Sequence, residues 1–558
     1  MHFTTITFWA VFVVFLMFFI LIRRATKKGM MLYVTAFSLV FYYLSNGLLM
    51  VVLPAVALFT WWSTRLMSES EGTKRKRLMW FTVIVDLLPL LVFKYTGMAV
   101  DIWNAILQSN FSFGTITVPA GLSFFTFQAI SYVVDVYKGK FTDRVSLLEF
   151  FFYLTFFPLL VAGPITRAEV FFSHFRGETQ DEESAEEAAE APAEEVVEDI
   201  AEEAVEETAE EVIEEVDEEE FEDTIIQIAY DPEDDEEAEK EIEEAVEKTV
   251  EEDVEEEEAS EPRFRGLPPV DPKLLYTGLW LIMLGLVKKL VVADYIAQFN
   301  NMVFEDPTAL SGFENLMGCI GFSVQIYCDF SGLSDLAIGM AALLGIALPD
   351  NFNLPYQSLN ITEFWRRWHM SLSFWFRDYV YSPLGGNRKG KIRTYVNNFL
   401  TIFLSGIWHG STPMFALWGA IHGAGLVVHK ACKSWLDKIP DNWLTKPFTW
   451  VITYAFLLVT WVFFRAGSLE TCWQIFGKVF TDMDLAYLVP FVTMRGPWTF
   501  VVVGTMLVHA TRRETHHRFI DWYVESPLVV KIVMFAMVIQ LCIQMSTSTV
   551  APFLYEQF

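Results

Sequence analysis

Polar side chains within long apolar runs are expensive to bury in a membrane, so they mark the positions where chemistry can sit. Three stretches concentrate them. The stretch 350–388 crowds Trp365, Arg366, Arg367, Trp368, His369, Ser371, Arg377 and Asp378 into one aromatic segment. Read as a helix, it puts Trp365, Trp368 and His369 on one face through i, i+3 and i+4 spacing. LSGIWHGSTPMFALWGAIHGA (404–424) carries two His-Gly pairs, His409-Gly410 and His422-Gly423, in an uncharged run. GFSVQIYCDFSGLSD (321–335) holds Gln325, Tyr327, Asp329, Ser331, Ser334 and Asp335, which can bond a polar substrate or pair with the arginines.

A lone histidine in an apolar frame suits general-base removal of a hydroxyl proton. Imidazole titrates near neutrality, and desolvation favours its neutral form. The activated oxygen would then attack an acyl thioester. Packing accounts for some of these residues equally well: His422 can seat a helix, and Asp329 and Asp335 can neutralise buried arginines. The cations Arg366, Arg367, Arg388, Lys389, Lys391 and Arg393 suit the phosphates of coenzyme A or phosphopantetheine, or else lipid headgroups. GxSxG, HExxH, Walker and GxGxxG patterns are all missing from the chain, which takes the main support from hydrolase, zinc-protease and nucleotide-driven readings.

The elements that must position these groups are membrane helices. Of 558 residues, 53% are hydrophobic and 16% aromatic, yet the formal net charge is −31. Residues 178–261 resolve the conflict, because they hold 44 of the 71 Asp+Glu and only two lysines, Lys240 and Lys248. The remaining body is mildly basic, with 38 Lys+Arg against 27 Asp+Glu, and nothing in that balance points to a nucleic-acid partner. A span needs about 20 apolar residues. Such runs lie near 6–22, 31–45, 47–62, 79–99, 117–137, 148–166, 274–293, 312–328, 332–348, 395–430 (two), 448–464, 497–510 and 527–547. The expectation is an all-α polytopic membrane protein of roughly 11–13 transmembrane or re-entrant helices. The first run is expected to be a retained signal anchor. Arg23, Arg24, Lys27 and Lys28 follow the first run and Lys74–Arg77 the third, so both clusters are expected in the cytoplasm and the N-terminus outside. Segment 361–383 is suited to an interfacial or re-entrant position. Five scattered cysteines read as small core residues, and no metal site is suggested.

The organisation is expected to be 1–177 and 262–558 as two parts of one membrane core, interrupted by the Glu-rich insertion 178–261. Its composition cannot bury enough apolar surface to fold alone, so solvated disorder is expected. A calcium loop starting at Asp231 fails, with Glu236 at the turn glycine and Ile242 at the bidentate glutamate position.

The chain resembles the membrane-bound O-acyltransferase family, in its bacterial branch that serves alginate acetylation and teichoic acid D-alanylation. The carriers are PAGLSFFTFQAISYVVDVYKG (119–139), FFPLLVAGPITR (156–167), GLVKKLVVAD (285–294), YCDFSGLSDLAIG (327–339), FWRRWHMSLSFWFRDYVYSPLGGN (364–387), LSGIWHG (404–410), WGAIHG (418–423) and WVFFRA (461–466). They cover nearly the whole chain outside 178–261, an insertion not associated with that family pattern. The resemblance implies helices around a central tunnel, with His409 of the WHG element catalytic and His369 as a second site residue. It also implies an acyl-CoA or acyl-carrier donor, no bound cofactor, a cell-surface polysaccharide acceptor and an extracytoplasmic SGNH-like acyltransferase partner, all at the cell membrane. Trp365, Arg366, Arg367, Trp368, Arg377, Asp378, His422 and Asp329 are the wider set expected to bind substrate. Three rivals stand beside acetyl transfer: D-alanyl transfer from a carrier protein, a secondary transporter, and a scaffold whose acidic arm recruits basic partners. A transporter predicts internal repeats, and none is visible.

Because the insertion interrupts the chain between intact motifs, excising 178–261 is expected to leave membrane insertion unchanged and acyl transfer within about twofold of the parent. Activity lost on excision but retained in His409→Ala would select the scaffold.

Overall fold

The computed structural model describes residues 3–176, 267 and 269–545, apart from 113, 115, 162 and 441. The acidic insertion and the segment from Asp231 lie outside the described residues. Every regular element among those described is helical. The chain is an all-α polytopic membrane protein.

In the N-terminal part, α1 (Ile6–Ala25) is opened by Thr5, whose hydroxyl accepts the Phe8 N–H. Phe8, Phe12, Phe15 and Phe19 recur at i, i+4, i+7 and i+11, and all four are buried. Their rings meet Phe157 on the short helix α7 (Phe157–Val161), at 6.5, 5.9 and 5.8 Å for the first three. The opposite face presents Val14, Met17, Phe18 and Leu21 outward, as expected of a helix bordering lipid. Then come α2 (Lys27–Asn46), α3 (Val52–Ser68), α4 (Gly72–Leu107), α5 (Leu122–Tyr137) and α6 (Leu147–Leu154), and, after α7, α8 (Ala168–Arg176). Helix α4 is 36 residues long and carries Pro89 in its interior.

The second part opens with α9 (Pro272–Leu286), capped by Asp271 with proline in its first turn, and continues through a π-helical turn (Val287–Ala293) into α10 (Asp294–Glu305). At its centre is α11 (Gly312–Leu343), started by a Ser311/Glu314 capping box and buried over most of its length. Glycines let α9 and α11 approach backbone to backbone: a Cβ on Gly285 would lie 2.5 Å from the Gly332 carbonyl oxygen. The broken helices α12 (Ile361–Arg367) and α13 (Met370–Phe376) follow. A hairpin of α14 (Lys391–His409) and α15 (Pro413–Leu436) comes next, and then α16 (Thr445–Arg465), α17 (Leu469–Thr481), α18 (Leu488–Met494), α19 (Gly496–His509), α20 (Arg513–Glu525) and α21 (Leu528–Met545).

Among the described residues, six helices are long and apolar enough to cross a membrane, and a bent pair, Leu485–Met494 with Gly496–His509, makes a seventh if taken as one span. Residues 312–328 and 332–348 were expected as two spans, but one helix runs through both because Gly332 serves as a packing surface rather than a turn. The run 148–166 breaks after Leu154 into α6 and α7, and 117–137 contributes a helix of only 16 residues.

The α14/α15 hairpin closes through Gly406 and Gly419. A Cβ at Gly406 would stand 2.6 Å from both the Gly419 Cα and the Phe415 carbonyl oxygen, neither of which can yield cheaply. Gly406→Val is therefore expected to cost about 2 kcal/mol or more. Gly477→Ala in α17, where nothing lies within 4 Å, should instead stabilise by about 0.5 kcal/mol through helix propensity. Thermal unfolding of both variants in one detergent checks the contrast, and equal midpoints would contradict it.

Candidate active site

Helix α14 ends on Trp408 and His409, both buried. Its last carbonyls have no partner within the helix, and α4 supplies donors for three of them. The Tyr95 hydroxyl bonds the Ile407 oxygen at 3.0 Å, while Lys94 Nζ bonds the oxygens of Trp408 at 2.7 Å and His409 at 3.2 Å. From α5, Phe124 and Phe127 pack on the Trp408 ring, and Phe127 stacks on Trp375 with centroids 3.7 Å apart.

The second histidine lies where a helix breaks. His369 separates α12 from α13 at φ 45° and ψ 55°, a left-handed conformation uncommon for a residue with a Cβ. A clasp from the segment after α11 holds it there. Phe352 bridges Trp368, the Asn353 N–H bonds the Arg367 carbonyl at 2.9 Å, and the Met370 N–H bonds the Asn351 carbonyl at 3.0 Å. The Asn351 side chain accepts from the Ser371 hydroxyl at 2.9 Å and donates to Ser334 at 3.2 Å. Ser371 in turn accepts the Ile165 N–H of the GPITR segment at 3.0 Å.

This break corrects the single-face reading of Trp365, Trp368 and His369. The chain is extended at Trp368, so the three side chains diverge. His369 meets Phe330 (4.6 Å), Trp408 (5.9 Å) and His409 (6.3 Å between ring centroids). Trp365 meets Trp418 and His422, at 5.8 and 5.4 Å, and Trp368 meets Trp461 at 5.0 Å. Trp418 is the hub of the chamber, edge-on to His409 at 5.2 Å, 4.6 Å from His422 and 6.1 Å from Trp461. His422, read from the sequence as a packing residue, thus shares Trp418 with His409.

All three imidazoles are 2% exposed or less. Both ring nitrogens of His369 and of His422, and the indole N–H groups of Trp365, Trp408 and Trp418, are buried without a hydrogen-bond partner among the described residues. Each such group costs about 1–3 kcal/mol if it stays unbonded. Their convergence among aromatic rings leaves donors and acceptors that a polar reactant could satisfy. An imidazole there can take a hydroxyl proton, the indoles can donate to an oxygen, and the aromatic walls exclude the water that would hydrolyse a thioester.

Most of the other predicted residues are engaged in ion pairs. Asp329 and Asp335 pair with lysines rather than with the expected arginines. Lys289 reaches Asp329 at 2.5 Å and Asp294 at 2.8 Å, and Lys288 reaches Asp335 at 2.7 Å, at the π-helical turn after α9. Arg377 pairs with Asp378 at 2.7 Å, and Arg167 of GPITR bonds the same carboxylate. Arg367 pairs with Glu363 at 3.0 Å, whereas Arg366 is exposed. Four cysteines are buried and Cys432 is exposed, a departure from the reading of all five as core. Sequence reasoning missed Lys94, Tyr95 and Asn351. Lys94, a lone cation in LLVFKYTG, carried the signal of an intramembrane charge.

The sequence profile of the membrane-bound O-acyltransferase family matches residues 253–469. The chain is 30% identical over 438 residues to a probable alginate O-acetylase of Azotobacter vinelandii, covering 77% of this chain and 68% of that protein. The chain belongs to the membrane-bound O-acyltransferase family. This acyltransferase is also 28% identical to the peptidoglycan O-acetyltransferase of Helicobacter pylori over 463 residues (78% and 71% coverage). It is 36% identical to a teichoic acid D-alanyltransferase of Bacillus subtilis over 194 residues, a match that covers 33% of this chain and 49% of that one. The profile match spans the broken helices, the hairpin and the chamber tryptophans of the acyltransferase.

Asn351→Ala removes the acceptor of the Ser371 hydroxyl and the donor to Ser334. The acyltransferase should lose about 2 kcal/mol of stability, read as a lowered unfolding midpoint in detergent. An unchanged midpoint would show that the clasp does not hold the left-handed turn.

Proposed function

We propose that this multi-pass acyltransferase of the cell membrane moves an acetyl group from a thioester donor, acetyl-CoA or an acyl carrier, to a hydroxyl of a cell-surface polysaccharide, with His409 as the general base. The observation that carries this reading is the convergence of His409, His369 and His422 with the three unbonded indole N–H groups of Trp365, Trp408 and Trp418 in one buried aromatic cluster. His409 takes the proton of the attacking hydroxyl, and the oxygen adds to the thioester carbonyl. The tetrahedral intermediate collapses, expelling a thiolate that recovers the proton, so ester and thiol are the products. His369, 6.3 Å away, orients the acceptor. Acetyl rather than another acyl group is favoured by the names of the relatives matched over most of the chain, one an alginate O-acetylase and one a peptidoglycan O-acetyltransferase.

A tunnel open at both faces would let a cytoplasmic donor meet an acceptor presented outside, either the polysaccharide itself or an extracytoplasmic SGNH-like acyltransferase that relays the group. The second reading, D-alanyl transfer from a carrier protein to teichoic acid, draws on the shorter match to the B. subtilis protein.

Membranes holding the wild-type chain, supplied with labelled acetyl-CoA and, separately, a D-alanyl carrier, decide between donors. We expect acetyl ester to accumulate, and His409→Ala, at equal abundance, to lower the rate by about 100-fold or more. Undiminished transfer by His409→Ala would contradict the assignment, and D-alanyl ester alone would select the second reading.

A further inference from the structure

Lys94 stands alone among apolar neighbours 22 residues into α4, a costly place for an ammonium group. Its bonds account for it. Nζ donates to the carbonyls of Trp408 and His409, which lie 314 and 315 positions later in the chain, and stands 5.8 Å from the centroid of the Trp408 ring. The next residue, Tyr95, bonds the Ile407 carbonyl. Two adjacent side chains of α4 thus take three consecutive carbonyls at the end of α14. A cation at that end is also favoured by the helix dipole.

The geometry points to Lys94, with Tyr95, as the positioning residue that aims the His409 imidazole. The inference rests on the reading of His409 as the base. Helix α14 stops at His409 and Gly410 is extended, so the chain beyond provides no further helical turn to hold that end. Once the donors from α4 are removed, the last turn of α14 can fray and the imidazole at its tip loses its fixed direction. Misplacement by about 1 Å of a group in the reaction geometry can cost about 100-fold in rate. The substrates themselves do not touch Lys94 on this account, so donor binding is preserved.

The test uses full-length protein in proteoliposomes with labelled acetyl-CoA as donor. Lys94→Met is expected to lower kcat by about 100-fold while the KM for the donor stays within about twofold, the separation expected when only transition-state interactions are lost. Lys94→Arg, which keeps the charge and the donors, should recover most of the rate. Tyr95→Phe, a milder change should Lys94→Met fold poorly, is expected to lower kcat by about fivefold. Combined with His409→Ala, Lys94→Met should add nothing further, because the two act as a unit. Wild-type kcat in Lys94→Met, a loss borne by KM, no recovery in Lys94→Arg, or full additivity with His409→Ala would each overturn the inference. If His409→Ala itself turns over normally, the proposed function fails. If His409→Ala is inactive while Lys94→Met is not, only the positioning role fails.

Discussion

A helix that ends away from water must have its last polar backbone groups bonded by protein, since lipid offers no substitute. This constraint organises the chamber. Helix α14 stops at a histidine 2% exposed, and the α12/α13 segment breaks at a histidine that is fully buried. Neither end could persist without donors and acceptors from distant segments. Lys94 and Tyr95 supply them to the first, and Asn351 with its neighbours supplies them to the second. The side chains that satisfy the backbone therefore also set the separation of the two imidazoles.

The surrounding packing gives those interruptions a rigid frame. Gly406 and Gly419 bring α14 and α15 into backbone contact, and the Phe127–Trp375 stack holds α5 against α13 beneath Trp408. Trp418 then spans the gap between His409 and His422. A dry aromatic wall strengthens each polar interaction made inside it and keeps water from a reactive thioester. Farther off, the Lys288 and Lys289 pairs place three carboxylates and two ammonium groups where α9, α10 and α11 meet. Removing one partner of such a buried pair leaves an uncompensated charge and is strongly destabilising.

Much of this was legible in the sequence. Apolar run length announced a helical membrane protein. His369, His409 and His422 stood out as polar groups in apolar frames. The break at His369 was hidden because FWRRWHMSLSFWF keeps a helical rhythm of apolar residues, and histidine does not announce a left-handed turn as glycine would. The lysine partners of Asp329 and Asp335 were also hidden, since Lys288 and Lys289 lie inside the apolar run 274–293 and nothing local names their partners. Contacts such as Lys94 to His409 join positions more than 300 residues apart, and no local pattern encodes them.

The central claim is that donor and acceptor meet at the imidazole of His409. A structure of the full-length chain with a non-transferable thioether analogue of acetyl-CoA tests it most directly. An attacking oxygen within about 3 Å of the base and about 3.5 Å from the acyl carbon requires that carbon to lie within about 6.5 Å of a His409 ring nitrogen, against Trp418. An analogue bound with its acyl carbon more than about 10 Å from that ring, with no hydroxyl path between them, would contradict the account.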